Sequence, residues 1–466
     1  MTSSQSSTSV QIFVAFAAVI AATLTYKSTT AKRHQKKKRQ TQSIDFDEPV
    51  DRTSIFTVKY DLRSILFGPK AQSATPLWVA DMDLPISYNI RERIMTRASH
   101  PCGIGYTIQP VEAWEAVVQW LQRRFNWTVD VSQITYSAGV ITSAANVIRA
   151  FTSPGDSVLC MTPLFLPLQN AVSGTGRRLI RHQLQLTEST TNNSGRKNMR
   201  YEIDFLKLEK QIVSEDIKIV ILCNPHNPSG RVWSRAELQS LLFLCATHNV
   251  LILSDEIWCD WLLSWSKDVH TPISSLPRAN EICITLMGPT KTWNVAGMQC
   301  SFVTIQNEHL QRKYLNYVEP AHLHYGDAFS TESLLATYGD ASNAMNGNSN
   351  SEQWLEEAKK YVEGNIEMVT NYIEQNIPQL KVIPSDATYL VWIDCSGLDV
   401  SGNDDNDDAV KNAHSLFLEK AQVILSPGSE FSPDTDHFVR MNVACSRKIL
   451  RGALERISTV VQMQNK

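Results

Sequence analysis

Five continuous apolar runs between residues 130 and 306 constrain the fold more than any other feature of this sequence. A strand buried on both faces is apolar throughout, whereas a strand with one solvated face alternates. Helix-like stretches separate the runs, so we predict a parallel α/β domain whose sheet is covered on both faces. Such sheets bind ligands at the carboxyl ends of their strands. The runs are SVLCMTP, IKIVILCN, NVLILSDE, EICITLMG and CSFVTIQ.

The composition is that of a folded enzyme. The chain has 466 residues, of which 43% are hydrophobic and 20% are charged, which is enough to build the cores of two domains. The formal net charge is −3 and the basic residues of the body are not clustered, so we expect no nucleic-acid partner. The cysteines are odd in number and scattered, several of them in apolar runs. We interpret them as reduced core residues.

The first 45 residues differ in kind from the rest. An apolar stretch of 17 residues at 10–26 is followed by the basic KRHQKKKRQ. This length reaches the short end of the membrane-spanning range, and basic residues after the stretch place the following body in the cytosol. We therefore predict an enzyme that is anchored in a membrane with its catalytic body facing the cytosol. The alternatives are a cleaved targeting segment on a soluble enzyme and a tail with an accidental apolar run.

A long amphipathic helix and two later strands predict a second, smaller α+β domain. The helix falls at EQWLEEAKKYVEGNIEMVTNYIEQNI, and ATYLVWIDC and HFVRMNVAC supply the strands. One stripe of the helix carries Trp354, Ala358, Tyr361, Val362, Ile366, Val369 and Ile373. The predicted organisation is an anchor and linker at 1–45, an N-terminal arm with part of the small domain at 46–90, a large domain at 91–328 and a small domain at 329–466.

Four motifs in fixed order carry the candidate chemistry. In YSAGVITSAANVIRAF, Gly139 allows a tight turn, and Val140 and Ile141 open a helix whose free backbone N–H groups suit a phosphate. An ordinary helix start would look the same. In CNPHNPSGRVW, prolines hold a rigid loop after a strand, so the carboxamide of Asn227 has one orientation.

The other two motifs place charged side chains at strand ends. In LILSDEIWCD, Asp255 and Glu256 end an apolar strand, where a buried carboxylate needs a cationic or hydrogen-bonding partner. A protonated cofactor nitrogen and a structural ion pair explain this equally well. In MGPTKTWNVAG, Lys291 follows the strand EICITLMG, and apolar surroundings would lower the pKa of its amine as a Schiff-base lysine requires. An ordinary loop lysine is the alternative.

Together these motifs resemble the fold-type I pyridoxal 5'-phosphate (PLP) enzymes of the aminotransferase class I/II superfamily. Within it the chain is similar to the MalY/PatB-type cystathionine β-lyases, the C-S lyase branch. The resemblance covers nearly everything after the predicted anchor, and it implies a large PLP-binding domain with a mostly parallel, seven-stranded-type sheet plus a smaller α+β domain. The stretches that carry it are PLWVADMDL, GIGYT, AFTSPGDSVL, NPHNPSGRVW, SDEIWCD, KTWNVAG and VRMNVAC.

The resemblance also implies how the cofactor is held. Lys291 would carry PLP covalently, Asp255 would keep the pyridine nitrogen protonated, and Asn227 would bond the phenolic oxygen of the ring. Backbone N–H groups would bind the phosphate. Two aromatic residues beside the cofactor ring differ from those usual in the family. The phosphate-binding residues would be Gly139, Val140 and Ile141, and the ring neighbours are Phe165 in place of tyrosine and Trp258 in place of histidine or tyrosine.

Substrate and subunit contacts follow from the same resemblance. Arg440 in FVRMNVA would grip the substrate carboxylate as a bidentate fork. Tyr106 would reach across from the neighbouring subunit, which implies a homodimer with shared active sites. Tyr60 stands where tryptophan is usual. His322 and His324 have no third ligand in sequence, so we expect no metal site.

The implied reaction is β-elimination from a cystathionine-like or cysteine-S-conjugate amino acid, which gives a thiol, pyruvate and ammonia. The same residues serve transamination, so an aminotransferase is the alternative enzyme. A third possibility is a PLP-binding scaffold with little activity that contacts another protein. Lys291, Asp255, Asn227 and Arg440 together argue against a scaffold, which has no need of all four.

Overall fold

The apolar runs of the sequence form neighbouring strands of one central sheet. The computed structural model describes residues 44–189, 198–339, 350–399 and 412–464. The strands within these ranges are β1 (Thr75–Pro76), β2 (Ile134–Ser137), β3 (Ser157–Thr162), β4 (Arg178–Gln183), β5 (Gln185–Ser189), β6 (Asn198–Glu202), β7 (Ile217–Cys223), β8 (Leu251–Asp255), β9 (Cys283–Met287), β10 (Ser301–Thr304), β11 (Lys381–Ile383), β12 (Leu390–Asp394), β13 (Val423–Ile424), β14 (Ser426–Pro427) and β15 (Phe438–Asn442).

Helices lie between most of these strands. The α-helices within the described ranges are α1 (Val58–Asp61), α2 (Arg63–Phe67), α3 (Tyr88–Ala98), α4 (Val111–Phe125), α5 (Val140–Phe151), α6 (Leu166–Ser173), α7 (Phe205–Ser214), α8 (Arg235–Thr247), α9 (Glu308–Val318), α10 (Ala328–Thr337), α11 (Asn350–Asn376), α12 (Ala413–Glu419) and α13 (Arg447–Gln464).

The central sheet has seven strands in the order β2-β10-β9-β8-β7-β3-β4. All neighbours are parallel except β10, which is antiparallel to both β2 and β9. Helices α7 and α8 pack on one face, and α5, α6 and α9 pack on the other. The predicted two-faced, mainly parallel sheet is therefore confirmed, and each of the five apolar runs is a buried strand of it.

The later part of the chain builds the predicted α+β layer. Strands β11, β12, β15 and β14 form an antiparallel sheet in that order, and α11 packs against α13. The apolar stripe of α11 is buried except for Tyr361, which is half-buried. Residues Phe46–Lys466 form one compact unit. The subdivision of that unit at residues 90 and 328 stays a prediction.

The cysteines occupy the positions expected of reduced core residues. All are free, and all are buried except Cys102, which is exposed. Most lie on strands of the central sheet or in loops next to them, where the small apolar thiol fills space between larger side chains.

The membrane-anchored placement predicted from residues 10–26 is corrected. That stretch lies outside the described residues, and no helix within them is long and apolar enough to cross a bilayer. On this finding the predicted placement, an anchored body facing the cytosol, is wrong. The physical reason is length and composition: 17 residues reach only the short end of the membrane-spanning range, and several of them are alanine and threonine.

Candidate active site

The candidate residues follow the carboxyl ends of neighbouring strands at one edge of the central sheet. Strand β2 is antiparallel to β10, which is antiparallel to β9, so β2 runs in the same direction as β9 and its neighbours. Five loops therefore meet at one edge, where open α/β sheets bind ligands. They carry Gly139, Val140 and Ile141 after β2, Phe165 after β3, Asn227 after β7, Asp255 and Trp258 at the end of β8, and Lys291 after β9.

Lys291 is half-buried rather than exposed on a surface loop. Its Nζ donates to the Ala80 carbonyl at 2.7 Å and lies 5.7 Å from the centroid of the Trp258 ring. Burial lowers the pKa of the amine to about 8, the nearby Arg440 adds to the lowering, and Asp81 opposes it. The amine is therefore partly uncharged at mildly alkaline pH, as a Schiff-base lysine requires.

Buried contacts fix the loop that carries Lys291. The carboxylate of Asp260 accepts from Trp120 Nε1 at 3.1 Å and from Thr292 Oγ1 at 3.0 Å. Gly288 is required because a Cβ there would lie 2.7 Å from the Cys300 carbonyl oxygen. The glycine of the GPTK sequence, which ends at Lys291, therefore allows this loop to pack closely on β10.

Asp255 and Glu256 have different surroundings. Glu256 accepts from the Ile273 N–H and pairs with His270 Nε2, both at 3.0 Å. Asp255 accepts the Ile257 N–H at 3.2 Å, and none of the described ion pairs involves it. Burial raises the pKa of Asp255 to about 7. The structural hydrogen-bond network thus belongs to Glu256, and Asp255 remains available to a protonated ring nitrogen.

Arg440 on β15 is a buried cation, 4% exposed, that faces the same edge. Its guanidinium donates to Asn227 Oδ1 at 2.9 Å, to the Trp78 carbonyl at 3.0 Å and to Ser426 Oγ at 3.1 Å. Its Nε is buried without a partner, and no carboxylate of the described chain forms an ion pair with it. Burial lowers its pKa to about 10, so it stays charged at neutral pH. It is therefore placed to receive an anion.

The start of α5 offers backbone donors. Gly139 has φ +89°, a left-handed conformation that favours glycine, and it caps the helix. Its own N–H already donates to the Ser137 carbonyl at 2.9 Å. The N–H groups of Val140 and Ile141 have no acceptor among the described residues. Gly139 therefore contributes its conformation, while the next two residues contribute free donors.

The aromatic candidates divide between the site and the surface. Phe165 is half-buried at the N-cap of α6, and Trp258 is buried edge-on against Tyr389, with ring centroids 4.7 Å apart. Tyr106 is fully exposed and lies in an irregular segment between α3 and α4. The structure therefore does not bring Tyr106 into the site of its own chain.

Two residues that contact the site, Tyr389 and Asn294, were not among the site residues predicted from the sequence. Tyr389 is buried, and its hydroxyl donates to the Ala80 carbonyl at 3.0 Å, the same oxygen that Lys291 uses. The segment around Ala80 is held by Asn294, which bonds both the N–H and the carbonyl of Met82. Tyr389 looks like a strand residue in sequence. Its structural signal is the preceding Thr388, whose φ of +76° is rare for a β-branched residue.

Comparisons with known proteins show the family of the chain. The family model for aminotransferase class I and II matches residues 81–457. The chain belongs to this family. Among class I and II relatives, cystathionine beta-lyase PatB of Bacillus subtilis is 34% identical, and the match covers 90% of this chain and 100% of PatB. The predicted resemblance to the MalY/PatB branch is confirmed.

Solved structures of the family share the fold. Cystalysin from Treponema denticola, whose crystal structure contains pyridoxal 5'-phosphate, has a TM-score of 0.78 and 26% identity, covering 91% of this chain and 100% of that chain. The PLP-bound C-S lyase from Staphylococcus hominis has a TM-score of 0.76 and 27% identity, covering 90% and 99%. Class I and II PLP enzymes are generally homodimers that act on amino acids.

Proposed function

We propose that this protein is a PLP-dependent carbon-sulfur β-lyase that acts on cystathionine-like or cysteine-S-conjugate amino acids. The observation that carries the proposal is the set of three charged groups at one sheet edge: half-buried Lys291 with a lowered pKa, buried Asp255 outside any described ion pair, and buried Arg440 with no carboxylate of the described residues in ion-pair contact. Relatives that are lyases match nearly the whole of their own lengths, which supports this reaction class.

The residues present fit the cofactor. The Asp255 carboxylate would hold a proton on the ring nitrogen, and the Asn227 amide would bond the phenolic oxygen. The free N–H groups of Val140 and Ile141 would bind the phosphate at the positive end of the helix dipole. When bound, PLP supplies an electron sink for the electron pair left when a proton leaves the α-carbon of an amino acid.

Lys291 and Arg440 would act on the substrate itself. Arg440 would bind the substrate α-carboxylate, because its guanidinium is buried and has donors to spare. The Lys291 amine would take the proton from the α-carbon, and a pKa near 8 matches this task at mildly alkaline pH. The bond between the β-carbon and sulfur then breaks, the sulfur leaves as a thiol, and one water completes release of pyruvate and ammonia.

The active site would be shared between two subunits. Tyr106 is fully exposed in one chain, and a tyrosine here would add a hydroxyl to the phosphate site of the partner subunit. Family membership supports the homodimer, and the role of Tyr106 within it is part of the proposal.

An aminotransferase remains the second candidate. The family model that spans residues 81–457 is that of class I and II aminotransferases, and by the resemblance the same acidic, amide and lysine side chains would serve both reactions. The two reactions differ in where the proton taken by Lys291 is returned, and the residues that surround the leaving group decide the outcome.

The decisive experiment is an assay of the PLP-loaded enzyme with L-cystathionine and no keto acid. We expect pyruvate and thiol in equal amounts over many turnovers, and no product from Lys291→Ala. A single partial turnover that resumes only when a keto acid is added would identify an aminotransferase. Lys313→Ala, on helix α9 away from the site, is the control for general effects of removing a lysine.

A further inference from the structure

Four charged residues of the N-terminal arm and the segment after it form one cluster, here called the arm charge cluster. It consists of Arg52, Lys59, Asp81 and Asp83. Arg52 bonds Asp81 at 2.6 Å and Asp83 at 2.7 Å, and Lys59 bonds Asp83 at 2.8 Å. Lys59 is 0% exposed, which is unusual for a lysine unless it is paired.

The cluster lies against Lys291. The Ala80 carbonyl, which accepts the hydrogen bond from Lys291 Nζ, belongs to the residue next to Asp81 in sequence. Asn442 Nδ2 donates to the Asp81 carbonyl at 2.6 Å and thereby fixes the backbone at this point. One carboxylate oxygen of Asp81, Oδ1, is buried without a hydrogen bond, and Lys59 Nζ lies 3.6 Å from it.

Three other groups face the Lys291 amine from the elements packed around it. Arg440 on β15 and Asp255 on β8 act on its charge, and the Tyr389 hydroxyl shares the Ala80 carbonyl with it. The charges of Asp81 and Asp255 favour the protonated amine. Asp83 has the same cationic partners as Asp81, but both of its carboxylate oxygens are paired with them, whereas Asp81 Oδ1 has no hydrogen bond.

We infer that Asp81, held in place by Arg52 and Lys59, is a positioning residue that keeps a proton on the Lys291 nitrogen and so links the N-terminal arm to catalysis. This inference rests on the proposed role of Lys291. It assigns the paired aspartates of WVADMDL different tasks: Asp81 sets the charge state of the lysine, whereas Asp83 anchors the arm.

The test uses the full-length, PLP-loaded enzyme and titrates the visible absorbance of the bound cofactor against pH. Loss of a negative charge beside the lysine destabilises its protonated form, so Asp81→Asn should move the titration midpoint to lower pH by about half to one unit. Asp81→Glu restores the charge and should return the midpoint toward that of the wild type. Asp83→Asn is the matched control, since it disturbs the same cations, and its midpoint should stay unchanged.

A further variant guards against misfolding of Asp81→Asn. Lys59→Met keeps both carboxylates but removes a cation that neutralises them, so the midpoint should move in the opposite direction, to higher pH. Equal shifts for the Asn variants of Asp81 and Asp83, or no rise for Lys59→Met, would overturn the inference. Thermal unfolding of each variant separates a loss of structure from a change in protonation.

A second readout does not depend on the cofactor. In the full chain stripped of PLP, competitive acetylation followed by peptide mapping measures the reactivity of the Lys291 amine at a fixed pH below its pKa. Asp81→Asn should raise this rate by about three- to tenfold, because the rate follows the uncharged fraction. A raised rate in an enzyme that proves inactive on cystathionine would support the inference while refuting the proposed reaction. An unchanged acetylation rate would refute the inference about Asp81 and leave the proposed reaction unaffected.

Discussion

At the scale of single residues, the site is defined by charges that the folded chain leaves without full compensation. Elsewhere in the described chain a buried carboxylate such as Glu256 is surrounded by hydrogen-bonding groups, among them the His270 ring and the Ile273 N–H. Asp255 and Arg440 do not pair with an opposite charge, although burying a charge costs several kcal/mol unless it is paired. Such groups are expected where a ligand supplies the missing charge.

Asp255→Asn should therefore have opposite effects on stability and on cofactor binding. Burial raises the folded-state pKa of Asp255 to about 7, above its ordinary 3.8. Its contribution to stability is thus fully present below the ordinary pKa and is lost as the pH rises through 7. In the cofactor-free chain at pH 8 the asparagine variant should unfold at a higher temperature than the wild type, by an amount worth a few kcal/mol at most, with little difference near pH 4.5.

Thermal unfolding at the two pH values measures this effect. The variant should also bind PLP more weakly, because the ring nitrogen loses its partner. Glu256→Gln is the control, and it should lower stability at both pH values because it weakens a satisfied network. A wild type that is more stable than Asp255→Asn at pH 8 would show that Asp255 has a partner in the folded chain.

Arg440→Lys tests whether a point charge can replace the guanidinium fork. Lysine keeps the charge but cannot bond Asn227, Trp78 and Ser426 while presenting two parallel N–H groups. We expect kcat/KM for L-cystathionine to fall by about 10- to 100-fold, the equivalent of one charge-assisted hydrogen bond. Steady-state kinetics measure it. The matched control is Arg447→Lys, on α13, which should leave kcat/KM unchanged; equal values for wild type and Arg440→Lys would exclude the substrate fork.

At the scale of elements, the site depends on how one loop of the central sheet meets the smaller sheet. The loop after β7 carries Asn227 and continues to Gly230, whose carbonyl accepts the N–H groups of Asp386 and Ala387 at 3.0 and 2.8 Å. Residues 385–388 form the loop that precedes Tyr389. The Gly230 backbone therefore helps to join the two sheets beside the site, together with the backbone of Trp261 and Leu263 after β8, which bonds Thr388 and Asp386.

Gly230→Ala should disrupt this junction. The glycine has φ +69°, and a Cβ would lie 2.5 Å from the Ala387 carbonyl oxygen. We expect a loss of about 2–4 kcal/mol in the free energy of unfolding, since backbone on both sides must shift, together with reduced activity. Chemical denaturation measures the loss. Gly452→Ala, in helix α13 with no atom nearer than 3.6 Å, is the control and should be neutral or stabilising. Similar stability for both variants would contradict the close approach.

The sequence predicted elements better than it predicted their contacts. The apolar runs located the buried strands because burial on both faces leaves a continuous pattern. Strand β4 was not predicted, since it lies at the sheet edge and is largely exposed, with charged residues. The antiparallel direction of β10 could not be predicted, because an apolar run looks the same in a parallel and in an antiparallel strand. Lys291, Asp255 and Asn227 were found through their motifs, whereas Tyr389 and the arm charge cluster depend on contacts far apart in sequence.

At the scale of the whole molecule, exposed apolar side chains surround the segment that carries Tyr106. Ile104 and Ile108 are more than half exposed on either side of it, and Phe56 in the N-terminal arm is almost fully exposed. Apolar surface beside Tyr106 is what a subunit interface would cover. In a homodimer that covers this surface, Tyr106 would lie in the subunit interface. It would then contact the partner subunit rather than the site of its own chain.

Hybrid dimers test the sharing of the site. Lys291→Ala and Tyr106→Ala homodimers should each have little activity. A hybrid of the two variants has one site with an intact lysine and an intact partner tyrosine, so co-purified hybrids should recover about half of the wild-type activity per dimer. Differently tagged chains allow the hybrid to be isolated. Recovery no greater than the mean of the two homodimers would show that Tyr106 does not serve the site of the partner subunit.

Borohydride reduction of the PLP-loaded enzyme, followed by peptide mapping, tests the central role of Lys291 most directly. Reduction makes the bond between the cofactor and the amine that holds it permanent. We predict that the modified lysine is Lys291, with stoichiometric labelling and no other modified peptide. Labelling of a different lysine, such as the buried Lys59, or none at all in an enzyme that still releases pyruvate and thiol, would contradict the assigned site.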